Sequence, residues 1–445
     1  MLLKTSPPPY PPPSRGRVLA GLWDRLFLEQ RPSISLGLFR IALAIAIGLH
    51  AIPTLLQMQD NYLHTAFREK NFSFFTPIVL EWVEKSPNWL VWAFAAFFLV
   101  FWFFSLIGLW TQTSWILMTV GLYYFYAMNS LHIGTLSFDI LLVTVFLMCL
   151  TPYAGDYFSV DCLRHPNRYA YRRTRPYFLQ RLLQLQIAST YFYTGLCKWT
   201  AGGNWIRENP FYYLVMSPET SVVKHYPLRA FFALHPDLCY DLGITLMVFE
   251  AAMPFLLFIP QTRYAGIALG FAFHVMLVIT LHVPTLFFFH FPPQLLLFID
   301  PKKIVGWIDK VRTRNRARGR SLLIYDGSCG FCRASIRPLL AMDMLGALKK
   351  LNYHHEKDLA GLHPALNLGA CQSQLHLLEP GGKLYGGFGA FRQMTLKLPM
   401  LWPFVPIVYL PGMCLLGDGV YRTVANNRYL FHATKACKNN QCFRA

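Results

Sequence analysis

Two cysteines two residues apart, Cys329-Gly330-Phe331-Cys332, follow the turn-forming stretch Asp326-Gly327-Ser328 and a short apolar run at 322–325. The run reads as a buried strand, and the amphipathic pattern after the cysteines predicts a helix ending near Asp343. The resulting order is strand, turn, dithiol, helix. At the start of a helix this spacing brings two sulfurs within disulfide reach, and unpaired N–H groups with the helix dipole stabilise a thiolate on the first. Cys329 is therefore the expected nucleophile and Cys332 the resolving thiol. Cys329 attacks one sulfur of a substrate disulfide, a mixed disulfide forms, and Cys332 displaces the substrate. Arg333 adds positive charge nearby, and Asp326 either orients a thiol proton or water, or caps the turn. A lone pair of this kind can also be half of a zinc site, but no second Cys or His pair follows at suitable spacing. His354 and His355 are adjacent, and Cys437 and Cys442 lie at the extreme end, where they either relay electrons or stay solvated.

The elements that must carry this dithiol are of two kinds. Residues 321–432 have the composition of a small soluble domain, with an apolar stretch at 399–412 cut by four prolines. That stretch is too short to cross a membrane, and it packs on the membrane surface, on the preceding domain or in a core. Residues 301–320 are strongly basic and read as a linker.

Upstream the chain is different. Of its 445 residues 54% are hydrophobic and only 14% charged, and long apolar runs recur from Ser35 to Ile299. The net charge of +19 then marks loops facing anionic headgroups rather than a nucleic-acid footprint. About eight segments are long enough to span: roughly 35–56, 89–110, 113–129, 136–152, 183–199, 239–260, 264–281 and 282–299. The last contains His282, Pro284, His290, Pro292 and Pro293, so it is the candidate for a broken or re-entrant segment. Lys and Arg concentrate in 1–35, 153–182 and 301–320, nineteen in all, against six in 57–88 and 200–238. This asymmetry places the first set, and hence the dithiol domain, in the cytoplasm. The Pro-rich residues 1–34 read as a disordered tail, with no cleavable signal.

Ionisable groups at membrane depth are costly and so are functional candidates. Arg40, His50, Asp139, Lys198, Glu250, His274 and His290 fall within or at the ends of the predicted spans. Arg40 is expected to pair with Asp139 or Glu250, and none of the histidines has metal-site spacing. Lys198 closes the fifth segment among aromatic residues: it is either a desolvated base or a lysine snorkelling to the interface.

Two family resemblances bear on these readings. Tyr157 to Asp161, Gln186-Ile187, the run from Tyr191-Phe192 through Gly195 to Lys198, and Phe273-His274 resemble the membrane domain of vitamin K-dependent γ-glutamyl carboxylases and their bacterial relatives, the HTTM domain, over roughly 20–300. The resemblance implies an outward-facing site in which Lys198 is the base acting on a quinol, so that a quinone is the implied cofactor. The carboxylases' Asn-His pair has no counterpart near Gly134 and Thr135, where His132 is offset. Asp326, Cys329 and Cys332, the hairpin from Cys371 to Gly387, Phe391 and the stretch Val420 to Tyr429 resemble the DCC family (DUF393) of thiol-disulfide oxidoreductases over about 321–432. That implies a thioredoxin-like domain with Asp326, Cys329 and Cys332 as the site, although the cis-proline of thioredoxins has no equivalent before Gln374.

The expectation is thus an α-helical polytopic membrane domain at 35–300 followed by a small α/β thioredoxin-like domain at 321–432 and a tail at 433–445. The expected activity is that of a protein-disulfide reductase in a bacterial inner membrane. Its partners are membrane lipids and a disulfide-bearing protein or small molecule, with no nucleic acid and no metal. A carboxylase-like membrane enzyme using the dithiol domain as reductant, and a non-catalytic assembly factor, are the alternatives.

Overall fold

The computed structural model describes residues 21, 23–63, 83, 85–128, 135–164, 174–200, 205–216, 226–280 and 285–427, with the backbone alone at 25, 135–139, 226, 280 and 285–289. His132, Gly134, His282, Pro284, Cys437, Cys442 and the Asp139 side chain lie outside the described residues, as does most of the expected N-terminal tail and all of the C-terminal one. The chain divides into two compact units, the first built from residues up to 161 and from 172–301, the second from 162–171 and the residues from Lys302 onward.

In the first unit a helix coincides with each of the eight apolar segments: α1 (Ile34–Leu56), α2 (Asn88–Ile107), α3 (Thr111–Met128), α4 (Thr135–Cys149), α5 (Phe178–Thr200), α6 (Pro236–Phe258), α7 (Arg263–Thr280) and α8 (Thr285–Leu295). Three of them, α1, α2 and α6, are long and apolar enough to cross a membrane. Phe39, Leu43 and Ile47 on one face of α1 share a core with Trp115 and Met118 of α3. Outward-facing Trp92, Val100 and Phe103 of α2 are exposed, the pattern of a helix whose surroundings are apolar.

Polar groups set the ends of these helices. Gly108 closes α2 in the left-handed region at φ 69°, a position that accepts glycine most readily. Asp161 supplies the missing cap of α3, its carboxylate accepting from the N–H groups of Trp110 at 3.0 Å and Thr111 at 2.8 Å. Gln30–Pro32 (β1), inside the expected disordered tail, is instead a strand paired antiparallel with Thr174–Pro176 (β2). Arg31 explains this order: its guanidinium bonds Glu29 at 2.5 Å and lies 4.6 Å over the Tyr177 ring. The bidentate pair Arg175 to Asp156, at 2.7 and 3.0 Å, holds β2 in turn.

Helices α5 and α6 pack closely because Gly195 has no side chain. A Cβ there would lie 2.7 Å from the backbone nitrogen of Ala251 and 2.9 Å from the carbonyl of Met247. This contact matters for chemistry, since Lys198 lies one turn beyond Gly195 and Glu250 is next to Ala251.

The second unit starts with α9 (Pro301–Arg318), a helix where the sequence suggests a linker. It is ordered because Ile308 is buried and Arg312 and Asn315 donate to the carbonyls of Met344 and Leu345 at 2.8 and 2.9 Å. A four-stranded sheet follows, in the order β4-β3-β5-β6, from β3 (Ser321–Tyr325), β4 (Leu348–Asn352), β5 (His376–Leu378) and β6 (Leu384–Gly386). β4 runs parallel to β3, β5 antiparallel to it, and β5–β6 form the expected hairpin. Gly382, at φ 80°, turns that hairpin. Helices α10 (Gly330–Ala341) and α11 (Gly387–Lys397) place Ile336, Leu339, Ala390 and Met394 against Leu323 and Leu377 of the sheet. Pro399–Val408 and α12 (Met413–Asn426) complete the unit, and the Tyr421 hydroxyl accepts from the N–H of Leu375 just before β5 at 2.9 Å.

Because the α5–α6 contact is backbone against backbone, a side chain at Gly195 must separate the helices. Gly195→Val is expected to cost about 1–3 kcal/mol, the range for overpacking a close contact. A thermal unfolding midpoint in detergent equal to the parent's would contradict this packing argument.

Candidate functional site

Between the end of β3 at Tyr325 and the start of α10 at Gly330 the chain must reverse from strand to helix in four residues. Asp326 builds that turn. Its Oδ1 accepts from the Ser328 N–H at 2.9 Å, the Ser328 hydroxyl at 2.6 Å and the Cys329 N–H at 3.3 Å. The neighbouring strand braces it: Asn352, the last residue of β4, accepts from the Gly327 N–H at 3.0 Å and the His354 N–H at 3.2 Å. His354 then donates from Nε2 to Asp326 Oδ1 at 3.0 Å. On the far side of the turn the Arg333 guanidinium donates to the Gly327 carbonyl at 2.8 Å.

Cys329 is the N-cap of α10, with extended backbone (φ −75°, ψ 118°), and its Sγ accepts from the Cys332 N–H at 3.2 Å. A sulfur thus occupies the place of the usual capping oxygen, and both the N–H and the helix dipole favour it as an anion. Cys329 and Cys332 are not joined in a disulfide; Cys329 is buried at 5% exposure, whereas Cys332 is partly exposed. Cys332 and Asp326 line a cavity of about 660 Å³ together with the rings of Phe391 and Tyr421. Cys371, buried and also lining the cavity, has its thiol pushed up by burial.

Burial alone raises the Asp326 carboxyl. The hydrogen bonds from the Ser328 side chain, His354 and the backbone N–H groups of Ser328 and Cys329 outweigh it, so the group sits below the ordinary carboxylate value. Asp326 therefore caps the turn as an anion. His354 and Asn352 are the residues that sequence reasoning misses here. The adjacent histidines invite only a metal reading, and the register of β4 against β3, which brings Asn352 level with Tyr325, is invisible before the sheet is known.

The first unit holds a second constellation. Lys198 pairs with Glu250 across the α5–α6 contact at 2.5 Å, with side chains 17% and 10% exposed, and its ammonium lies 5.5 Å from the Trp205 ring. The expected pairing of Arg40 with Glu250 is therefore corrected: Glu250 takes Lys198, and Arg40 donates to the Phe158 carbonyl at 2.5 Å. Nearby groups are also bonded. Tyr191 meets His274 Nε2 at 2.7 Å, and Thr144 lies 3.2 Å from His290 Nε2 and accepts from Gln294 at 3.2 Å. The structure thus brings Asp326, Cys329 and Cys332 together, and sets Lys198 in a separate site with Glu250. Among the described residues no three His, Cys, Asp or Glu side chains gather as a metal site.

Family models match both halves of this arrangement. The HTTM domain matches residues 29–302, more than half of the chain, and the DCC1-like thiol-disulfide oxidoreductase matches residues 323–433. The chain belongs to the HTTM domain family and carries a DCC1-like thiol-disulfide oxidoreductase domain behind it. No curated protein and no solved structure matches the chain.

Two outcomes follow from the geometry. A carboxyl held below its unfolded value of about 3.9 contributes stability that is present above that value and lost as the pH falls through the lower folded one. Asp326→Asn should therefore destabilise the dithiol region by about 1–2 kcal/mol at neutral pH. Hydrogen exchange of residues 323–341 in the full chain should show this difference shrinking only below about pH 4, and a difference independent of pH would refute the charged cap. In the membrane unit, Lys198→Met leaves Glu250 buried without its partner and should cost about 3–5 kcal/mol, whereas Lys198→Met with Glu250→Leu should recover most of it. Thermal unfolding in detergent distinguishes these cases; a double variant as unstable as the single one would show that the pair is not a structural unit.

Proposed function

We propose that this protein is a membrane-tethered thiol-disulfide oxidoreductase that reduces a disulfide-bearing protein or small molecule. The observation that carries the reading is the Cys332 N–H directed at Cys329 Sγ at the head of α10. A thiolate so placed attacks a substrate sulfur, one substrate thiol leaves with a proton, and Cys332 then displaces the second as the Cys329–Cys332 disulfide closes. Asp326 fixes the turn that aims the sulfur, and Arg333 and His354 hold Asp326 and Gly327 in place. The strand order β4-β3-β5-β6, with one parallel and two antiparallel neighbours, supports a thioredoxin-like assignment.

In this reading the apolar segments make about eight passes, the last of them broken around the short α8, and the basic loops and the dithiol unit lie on the cytoplasmic side of a bacterial inner membrane. The positive charge of the loops supports that orientation. The Lys198–Glu250 pair supports a scaffold role for the first unit, because a lysine already bonded to a carboxylate must leave it before acting as a base.

The two cysteines make the reading testable by trapping. Cys332→Ser in the full chain should accumulate mixed disulfides through Cys329, and Cys329→Ser should form none and lose turnover of an aromatic disulfide by at least a hundredfold. Adducts that accumulate equally in the parent protein would point instead to a protein that holds its client without turnover.

A further inference from the structure

The cavity beside the dithiol is walled almost wholly by carbon. Phe331, Phe388, Phe391 and Phe404 contribute rings, while Asp326, Cys332 and a few other polar groups occupy part of the wall. At about 660 Å³ it has the size of a small-molecule site. A peptide backbone placed there would leave its N–H and C=O groups without partners, whereas an aliphatic chain would lose nothing.

The rim is equally unusual. Pro399–Val408 and α12 are together long and apolar enough to count as a span, but they bend by 115° and so do not cross a membrane as one straight helix. Asp418 and Arg422 are the only charged residues between Pro399 and Asn426. Trp402, Phe404, Ile407 and Leu410 are exposed, as are Leu415 at 83% and Leu416 at 62%, and Phe404 and Leu416 also line the cavity. So many exposed apolar side chains within one segment mark an interaction surface. The rest of the chain identifies what it meets: the same polypeptide carries an HTTM domain with membrane-length helices, and α9 in this unit brings Lys302, Lys303, Lys310, Arg314, Arg316 and Arg318, the charge that anionic headgroups attract.

We infer that Pro399–Asn426 dips into the bilayer interface and that the cavity takes a lipophilic substrate from the lipid, bringing its disulfide to the dithiol, where Cys329 attacks and Cys332, on the cavity wall, resolves. This rests on the thiol-disulfide reading above and names the substrate class for the same site. With a dialkyl disulfide the step balances within the site: the two protein thiols lose two electrons and two protons to become the Cys329–Cys332 disulfide. The substrate S–S bond breaks, and two alkanethiols leave with those electrons and protons.

The test uses the full chain in nanodiscs of zwitterionic and anionic phospholipid. The probes are a dialkyl disulfide with eight-carbon chains and the hydrophilic disulfide cystamine, with a photoactivatable phospholipid to map lipid contacts. Turnover of the dialkyl disulfide should exceed that of cystamine at least tenfold. Ala425→Trp, which fills the cavity wall, and Leu415→Glu, which charges the rim, should each reduce that ratio at least tenfold, with thermal unfolding reporting whether either variant is folded. Photolabelling should mark peptides from 399–426. A ratio near one, or lipid labels confined to 29–302, overturns the inference while leaving the dithiol reading intact. Labels missing from the patch in a protein that runs as a dimer would assign the face to a second copy. Loss of cystamine turnover in no cysteine variant would instead defeat the underlying reading.

Discussion

The dithiol depends on one buried carboxylate. Asp326 gathers the Ser328 hydroxyl, the Ser328 and Cys329 N–H groups and His354 onto a single oxygen, and so decides where α10 begins. If the helix started a residue earlier or later, the Cys332 N–H would no longer point at Cys329 Sγ, and the first sulfur would lose its capping role. Asn352 and His354 at the end of β4 tie this arrangement to the sheet, which makes the parallel β3–β4 register part of the site.

Much of this was legible in the amino-acid order, for reasons that are local. The apolar run at 322–325, the Asp-Gly-Ser turn and the amphipathic stretch that follows dictate strand, turn and helix within twenty residues, and the structure has them at Ser321–Tyr325 and Gly330–Ala341. The β5–β6 hairpin was expected from the resemblance of Cys371 to Gly387 to the DCC family, and the structure has it there. The role of His354 was not, because it depends on strand register, and a sequence pattern fixes which face a residue takes but not which residue of another strand it meets. The ordering of 301–318 escaped for a related reason: its basic residues resemble a solvated linker until the carbonyls at 344 and 345 appear as partners for Arg312 and Asn315.

In the membrane unit the apolar segments were legible as helices, while the pairing of their charges was not. Hydropathy locates a helix along the chain without fixing its rotation about its axis, so Arg40, Lys198 and Glu250 were visible as costly groups whose partners had to be guessed. The partner of Glu250 is set by Gly195, which lets α5 and α6 approach until Lys198 reaches across. Small residues at helix contacts and polar pairs across them are the means by which membrane helices associate, and both occur within a single turn here.

As a thiol-disulfide centre, Cys329 and Cys332 should act as one two-electron couple. A redox titration of the full chain, with each cysteine followed by alkylation and peptide mass, tests it most directly. Both sulfurs should become protected together, at one potential, as a disulfide within the 322–337 peptide. Independent alkylation of the two residues, or two thiols that stay reactive under every oxidising condition, would contradict it.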